Sequence, residues 1–331
     1  MRIALFGAGR IGRYHAEVLA SLPGIELTVY DVDSSAASQV AALVGGHAAP
    51  DVDAAVAGAE AMVIAAATNV HADLVRCGLQ ARVPIFCEKP LAVDLESTIA
   101  IAAEIERAGT PFQLGFQRRF DPAYREARGL VESGALGTLY AVRLAGHDPA
   151  PPHESYIPAS GGLFRDFSIH DFDVIRWLTG SEVEEVYADG AVRGFPVFAR
   201  YGDVDTAVAT LRLADGALAA LTVARHDPLG YDVRTELFGS RDSVTVGLGP
   251  RTPMRSLEPG VAPPVGPAWA GFLERFDAAY RAEIAAFVRV ARGELPSPCT
   301  AGDGLAALRI AEAATRSLHE HRPVRLQEIA S

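Results

Sequence analysis

The most constraining stretch of this chain is residues 2–31. Arg2–Phe6 is apolar after its first residue, which predicts a short strand buried on both faces. Gly7-Ala8-Gly9-Arg10-Ile11-Gly12 follows, then a helical pattern over Tyr14–Leu22, a second strand pattern over Glu26–Tyr30, and Asp31. Between a strand and a helix, these glycines let the backbone turn tightly and approach a pyrophosphate, while the helix N-terminus offers it N–H donors. The same context with an acid about 20 residues further on is the dinucleotide-binding pattern. Gly7, Ala8, Gly9, Arg10, Ile11 and Gly12 are therefore candidate cofactor-binding residues. A carboxylate at Asp31 accepts bonds from adenosine ribose hydroxyls and repels a 2′-phosphate, which favours NAD as the cofactor. Residues 32–40 hold no arginine to stabilise that phosphate, and Arg10 and Arg13 keep NADP as the alternative.

The alternation continues. Ala61–Ala66 reads as a buried strand, Ala67–His71 as a turn, Ala72–Gln80 as a helix and Val83–Cys87 as the next strand. A helix over Leu95–Ala108 and a strand near Phe112–Phe116 complete the expected fold of residues 1–118, an α/β Rossmann domain with a doubly wound parallel sheet. Ligands of such sheets bind outside the C-terminal strand ends. Thr68, Asn69 and His71 after one strand, and Glu88 and Lys89 after the next, join the cofactor-binding candidates.

Beyond Gln117-Arg118-Arg119 the pattern changes to successive strands: Leu139–Ala145, Val183–Ala188, Thr206–Leu213, Ala217–Ala224, Arg234–Phe238 and Ser243–Val246. Residues 119–331 are expected to form an α+β domain with a mostly antiparallel open sheet, closed by helices near Phe272–Arg292 and Gly304–His319, the last packing back on the first domain.

Composition narrows the partners. A formal net charge of −11 leaves no basic field for nucleic acid. Cys77, Cys87 and Cys299 form no metal or disulfide spacing and are expected to be buried thiols in a reducing cytoplasm. The longest apolar runs are too short to span a membrane, and the first strand pattern starts too early for a signal peptide. Of the 30 basic residues, 29 are arginine and one is lysine, Lys89, at the C-terminal end of a parallel strand. An arginine cannot give up its proton, and its planar fork fills a different space from an ammonium.

Residues 160–178 hold a second chemical signal. From about Leu163 the segment is expected to be helical, so that Asp166, His170 and Asp173 share one face at i, i+4 and i+7. That face suits three roles: a core histidine paired with an aspartate, a metal site using His170 and Asp173, or acid–base chemistry with His170 as general base and Asp166 orienting it. No Cys/His cluster or HExxH pattern supports the metal, and none is expected.

The N-terminal GAGRIG, the strand-end CEKPLA at 87–92 and GGLFRDFSIHDFD at 161–173 together resemble the Gfo/Idh/MocA oxidoreductase family. GFQRRFDPAY at 115–124, HDPAPP at 147–152, GDVDTA at 202–207 and GYDVRTELFGS at 230–240 extend the resemblance, and it is nearest to the inositol branch. The resemblance implies an NAD-dependent enzyme that oxidises a CH–OH group of a cyclic polyol, with myo-inositol giving the 2-keto product as the first choice. A scyllo-inositol or pyranose dehydrogenase is the alternative, and a non-catalytic NAD(H) sensor is the alternative of another class. It also implies that Lys89 stabilises the developing alkoxide and that Asp166 and His170 form the acid–base pair. Lys89, Gln117, Arg118, Asp148, Asp166 and His170 become the substrate-binding candidates, in a cytoplasmic homotetramer. Val223, Leu229 and Val233 depart from the polar pattern of that branch, and His153 reads as a loop residue.

Overall fold

The computed structural model describes residues 1–329 and divides into two compact units, 1–117 with 279–306, and 118–278 with the described residues from 307 onward. Residues 330 and 331, the end of the expected second domain, lie outside the described residues.

In the first unit, strands and helices alternate along the chain: β1 (Arg2–Phe6), α1 (Arg10–Ala20), β2 (Glu26–Tyr30), α2 (Ser34–Val44), β3 (His47–Ala48), α3 (Val52–Val56), β4 (Ala61–Ile64), α4 (His71–Ala81), β5 (Ile85–Glu88), α5 (Leu95–Ala108) and β6 (Phe112–Gly115). Among the described residues the strands form one parallel sheet in the order β3-β2-β1-β4-β5-β6. The order reverses between β1 and β4, which opens a crevice at the strand ends where ligands of such sheets bind. All of Ala61–Ile64 is buried, as a central parallel strand covered on both faces requires. Ile3, Leu5, Leu19, Val29, Val63 and Phe86 form the core, joined by Ile284 and Phe287 from the returning segment. The helix expected from Tyr14 starts at Arg10, because the glycine turn itself supplies the N-cap, Gly9.

The second unit holds α6 (Pro122–Glu132), β7 (Leu139–His147), α7 (Ile157–Ser160), α8 (Leu163–Asp166), α9 (Ile169–Thr179), β8 (Val183–Ala191), α10 (Val197–Arg200), β9 (Thr206–Leu213), β10 (Leu218–Ala224), β11 (Asp232–Gly239), β12 (Ser243–Val246) and α11 (Phe272–Arg275). After α12 (Asp277–Ala291) and α13 (Ala301–Glu320), β13 (Val324–Arg325) adds a last strand. The sheet runs β12-β11-β7-β10-β9-β8-β13 among the described residues, antiparallel except where β10 lies parallel to β7. That parallel pair brings the C-terminal ends of β7 and β10 side by side, with Ala224 opposite His147.

Two expected helices are interrupted. The one over 272–292 breaks at Phe276, whose ring is fully buried. The one from Leu163 breaks at Phe167-Ser168, so Asp166 ends α8 while His170 and Asp173 belong to α9. Tertiary packing accounts for the second break. The Phe167 ring rests on Gly146 of β7, where a Cβ would come within 2.4 Å of it.

Candidate active site

In the first unit the glycine turn is built to hold a backbone close to a ligand. Gly7 has φ +100°, and a Cβ there would lie 2.5 Å from the Ala65 carbonyl oxygen. A Cβ on Gly12 would lie 1.9 Å from the Gly7 carbonyl oxygen, so helix and turn approach only because both residues lack side chains. Asp33 and Asp94 cap α2 and α5 with their carboxylates, whereas α1 begins at Gly9 with no side-chain cap. The positive end of the α1 dipole therefore faces the turn, where it favours an anion. Asp31 accepts from the Ala8 N–H at 2.6 Å through Oδ2 and from the Asp33 N–H at 2.9 Å through Oδ1. The carboxylate is thereby locked beside the turn, and its remaining lone pairs suit ribose hydroxyls. These features fit a dinucleotide.

At the next strand ends, Thr68 and Asn69 line a cavity of about 340 Å³ between α4 and α5. His71 is buried, with Nδ1 2.8 Å from the Pro90 carbonyl oxygen and Nε2 3.0 Å from that of Ala66. The ring ties together the loops that follow β4 and β5. Burial lowers its pKa below the ordinary imidazole value, against a weaker upward pull from the two carbonyls. Glu88 ends β5 with Oε1 2.6 Å from Nε2 of the fully buried His15. His15 was not anticipated from the sequence, although its place on α1 one turn past the glycines marks it as inward-facing. Lys89 follows, half-buried. Cys87 and Cys299 are buried, whereas Cys77 on α4 is half-buried, beside the buried face of that helix formed by His71, Leu74, Val75 and Gly78. Gln117, the last residue of this stretch, is buried.

In the second unit, Gly161 and Gly162 turn the chain at φ +79° and +93°, and Asp203 accepts from the Leu163 N–H at 3.1 Å to start α8. The result places Asp166 at the helix end, where the Tyr156 hydroxyl donates to Oδ1 at 2.9 Å and the Arg225 guanidinium to Oδ2 at 2.8 Å. Arg225 Nη1 is also 3.6 Å from Asp148 Oδ2. Asp166 and Asp148 keep 13% and 21% of their side-chain surface exposed, so both present acceptors to solvent over one buried cation. His170 sits half-buried in the first turn of α9.

The remaining charges are paired inside. Arg119 donates to both oxygens of Asp173 at 2.9 and 2.6 Å, which occupies the carboxylate considered for metal binding. Arg118 donates to Asp171 at 2.5 Å and lies over the Phe276 ring, both partners being enclosed. Burial pushes the Asp171 carboxyl up, opposed by the Arg118 charge. His147, Asp227 and Asp232 lie near enough to share a cation, but Arg234 already donates to both oxygens of Asp232. Val223 and Val233 flank Gly146 in the sheet and are buried, while Leu229 is exposed. Arg225, Tyr156 and Arg119 are the partners that sequence patterns did not single out.

A dinucleotide cradle on a parallel sheet, in a chain whose second, mixed-sheet unit gathers Asp148 and Asp166 on a buried arginine, fits a nucleotide-dependent oxidoreductase. Residues 1–116 match the oxidoreductase family with an NAD-binding Rossmann fold, and residues 124–245 match the GFO/IDH/MocA C-terminal domain. The chain belongs to the Gfo/Idh/MocA oxidoreductase family, and NAD is its cofactor. It is 40% identical to myo-inositol dehydrogenase Hyg17 of Streptomyces leeuwenhoekii, over 96% of this chain and 97% of that protein. The crystal structure of a myo-inositol dehydrogenase from Corynebacterium glutamicum superposes with TM-score 0.91 at 36% identity, covering 99% of each chain. A scyllo-inositol dehydrogenase from Lactobacillus casei, with bound NAD(H) and scyllo-inositol, superposes with TM-score 0.89 at 31% identity, over 98% of this chain and 99% of that one.

Proposed function

We propose that the chain oxidises a neutral cyclic polyol, with myo-inositol as first substrate and its 2-keto derivative as product. The observation that carries this reading is the pair of partly exposed carboxylates, Asp148 and Asp166, gathered on one buried arginine. Carboxylates accept hydrogen bonds from neighbouring hydroxyls and reject anions, so the site suits an uncharged polyhydroxylated ring. The full-length likeness to myo-inositol dehydrogenases supports the same choice.

NAD, when bound, would supply the hydride acceptor for oxidation of the carbinol carbon. His170 takes the hydroxyl proton as general base, and Asp166 holds its imidazole and balances the charge it acquires. Lys89 supplies a compact positive charge to the developing alkoxide. Gly7 to Gly12 and Asp31 would hold the dinucleotide, with Thr68, Asn69 and Glu88 as further binding residues. His71 is buried and acts by fixing the loops around Lys89. Gln117 and Arg118, proposed as substrate-binding residues, are both buried.

Initial rates of NADH formation over a panel of inositols and aldoses, with NAD and NADP in parallel, test the assignment. Highest kcat/KM on myo-inositol with NAD is expected. Activity on a sugar with none on any inositol would overturn the substrate. Scyllo-inositol is the second reading, favoured by the likeness to the Lactobacillus casei enzyme. The protein is further proposed to work in the cytoplasm as a homotetramer. The open sheet face, with Tyr187 and Leu218 bordering a depression of about 410 Å³ and Val208 exposed on the neighbouring strand, supports association of copies.

A further inference from the structure

We propose that Arg225 is a positioning residue that holds Asp166 and Asp148 as one unit for the reaction, a role that rests on the polyol-dehydrogenase reading above. Its place is set by the sheet. Arg225 follows β10, and its N–H donates to the Asp205 carbonyl at 2.8 Å. One residue earlier, the Ala224 carbonyl accepts from the Asp148 N–H at 3.0 Å, so the β7–β10 pairing fixes Arg225 and Asp148 together. The side chain is buried, and Nη1 carries the contacts: 2.8 Å to Asp166 Oδ2 and 3.6 Å to Asp148 Oδ2. Nε and Nη2 are buried and make no hydrogen bond within the protein.

Two carboxylates brought this close repel each other, and the cation between them removes that repulsion and fixes the Asp166 orientation. Burial alone would make the guanidinium easier to deprotonate, but Asp166 and Asp148 outweigh it and raise the Arg225 pKa. With Tyr156 on the other oxygen, Asp166 is held at both ends. Because one nitrogen makes the bond, the site uses the charge and not the planar fork. A lysine can therefore stand in for Arg225 in part, which it cannot do where the fork itself is read.

The experiment compares R225Q and R225K with the full-length wild type. R225Q is expected to lower kcat about 30- to 100-fold through misplacement of Asp166, with KM changed less than about fivefold and NADH affinity within about twofold. The acid limb of its kcat–pH profile moves to higher pH, because Asp166 loses its cation. R225K is expected to recover kcat to within about fivefold of wild type. R225Q retaining kcat within about twofold, an unmoved acid limb, or R225K falling as far as R225Q would each overturn the proposal. Should R225Q not fold, a loss above about 50-fold in folded R225K would do the same. If the wild type oxidises no polyol at all, the functional reading fails instead. Carboxyl titration of Asp166 by carbon NMR then decides the holding role: an Asp166 pKa no higher in R225Q or R225K than in wild type removes it.

Discussion

Lys89 is the one lysine among 30 basic residues, and it stands half-buried at the end of β5, next to a glutamate locked onto His15. Replacing it by arginine keeps the charge but moves it and broadens it. K89R is expected to lower kcat by about two orders of magnitude while NADH affinity changes less than about threefold, as measured by steady-state rates and fluorescence titration. Near-normal turnover would remove Lys89 from the chemistry. His71 makes a prediction of another kind. Its folded pKa is lowered from the ordinary 6.5, chiefly by burial, so the folded chain binds this proton less readily than the unfolded one. The stability it contributes is present above about pH 6.5 and is lost as the pH falls through the folded value. Urea denaturation at about pH 7.5 and about pH 5.5 should show lower stability at the acid pH, and H71N should shrink that difference. The sequence marks His71 by its place after β4, but it does not show that the ring nitrogens lie within hydrogen-bond distance of the Pro90 and Ala66 carbonyls.

Elements were legible where the signal is local. The glycine turn, β1, β2, β4, β5, β6 and strands β7 to β12 follow from apolar runs and turn residues within a few positions of each other, whereas β3 and β13, two residues each, were not anticipated. The α1 start shows the strength of that logic, since Gly12 has no substitute: a Cβ there meets the Gly7 carbonyl at 1.9 Å. G12A is expected to force α1 away from the turn, weaken NADH binding at least about tenfold and lower stability by about 1–3 kcal/mol. Unchanged NADH affinity in a calorimetric titration would contradict the cradle. The helix over Leu163–Asp173 was legible in content and not in continuity. Its i, i+4 spacing suits one helix, but Phe167 inserts against Gly146 and divides it into α8 and α9. A local period carries no information about which strand glycine will receive a ring.

For the whole molecule, exposed apolar side chains on one face of the mixed sheet call for an explanation. Val208 is 52% and Leu218 49% exposed on neighbouring strands. If copies associate there, V208D should shift the sedimentation coefficient to that of a smaller species without lowering NADH affinity. A wild type that already sediments as a monomer would remove the association. Among the described residues no helix is long and apolar enough to cross a membrane. The sequence alone determined the parallel Rossmann unit and its NAD cofactor, because the glycine turn and the alternation of strands and helices depend on turn sterics and periodicity over short spans. Only the tertiary structure decided which charges meet. Arg225 reaches Asp166 across 59 positions, and Arg119 reaches Asp173 across 54, by strand register and helix placement. Pairing between buried charges depends on distances of a few ångströms, which the order of residues along a chain does not record.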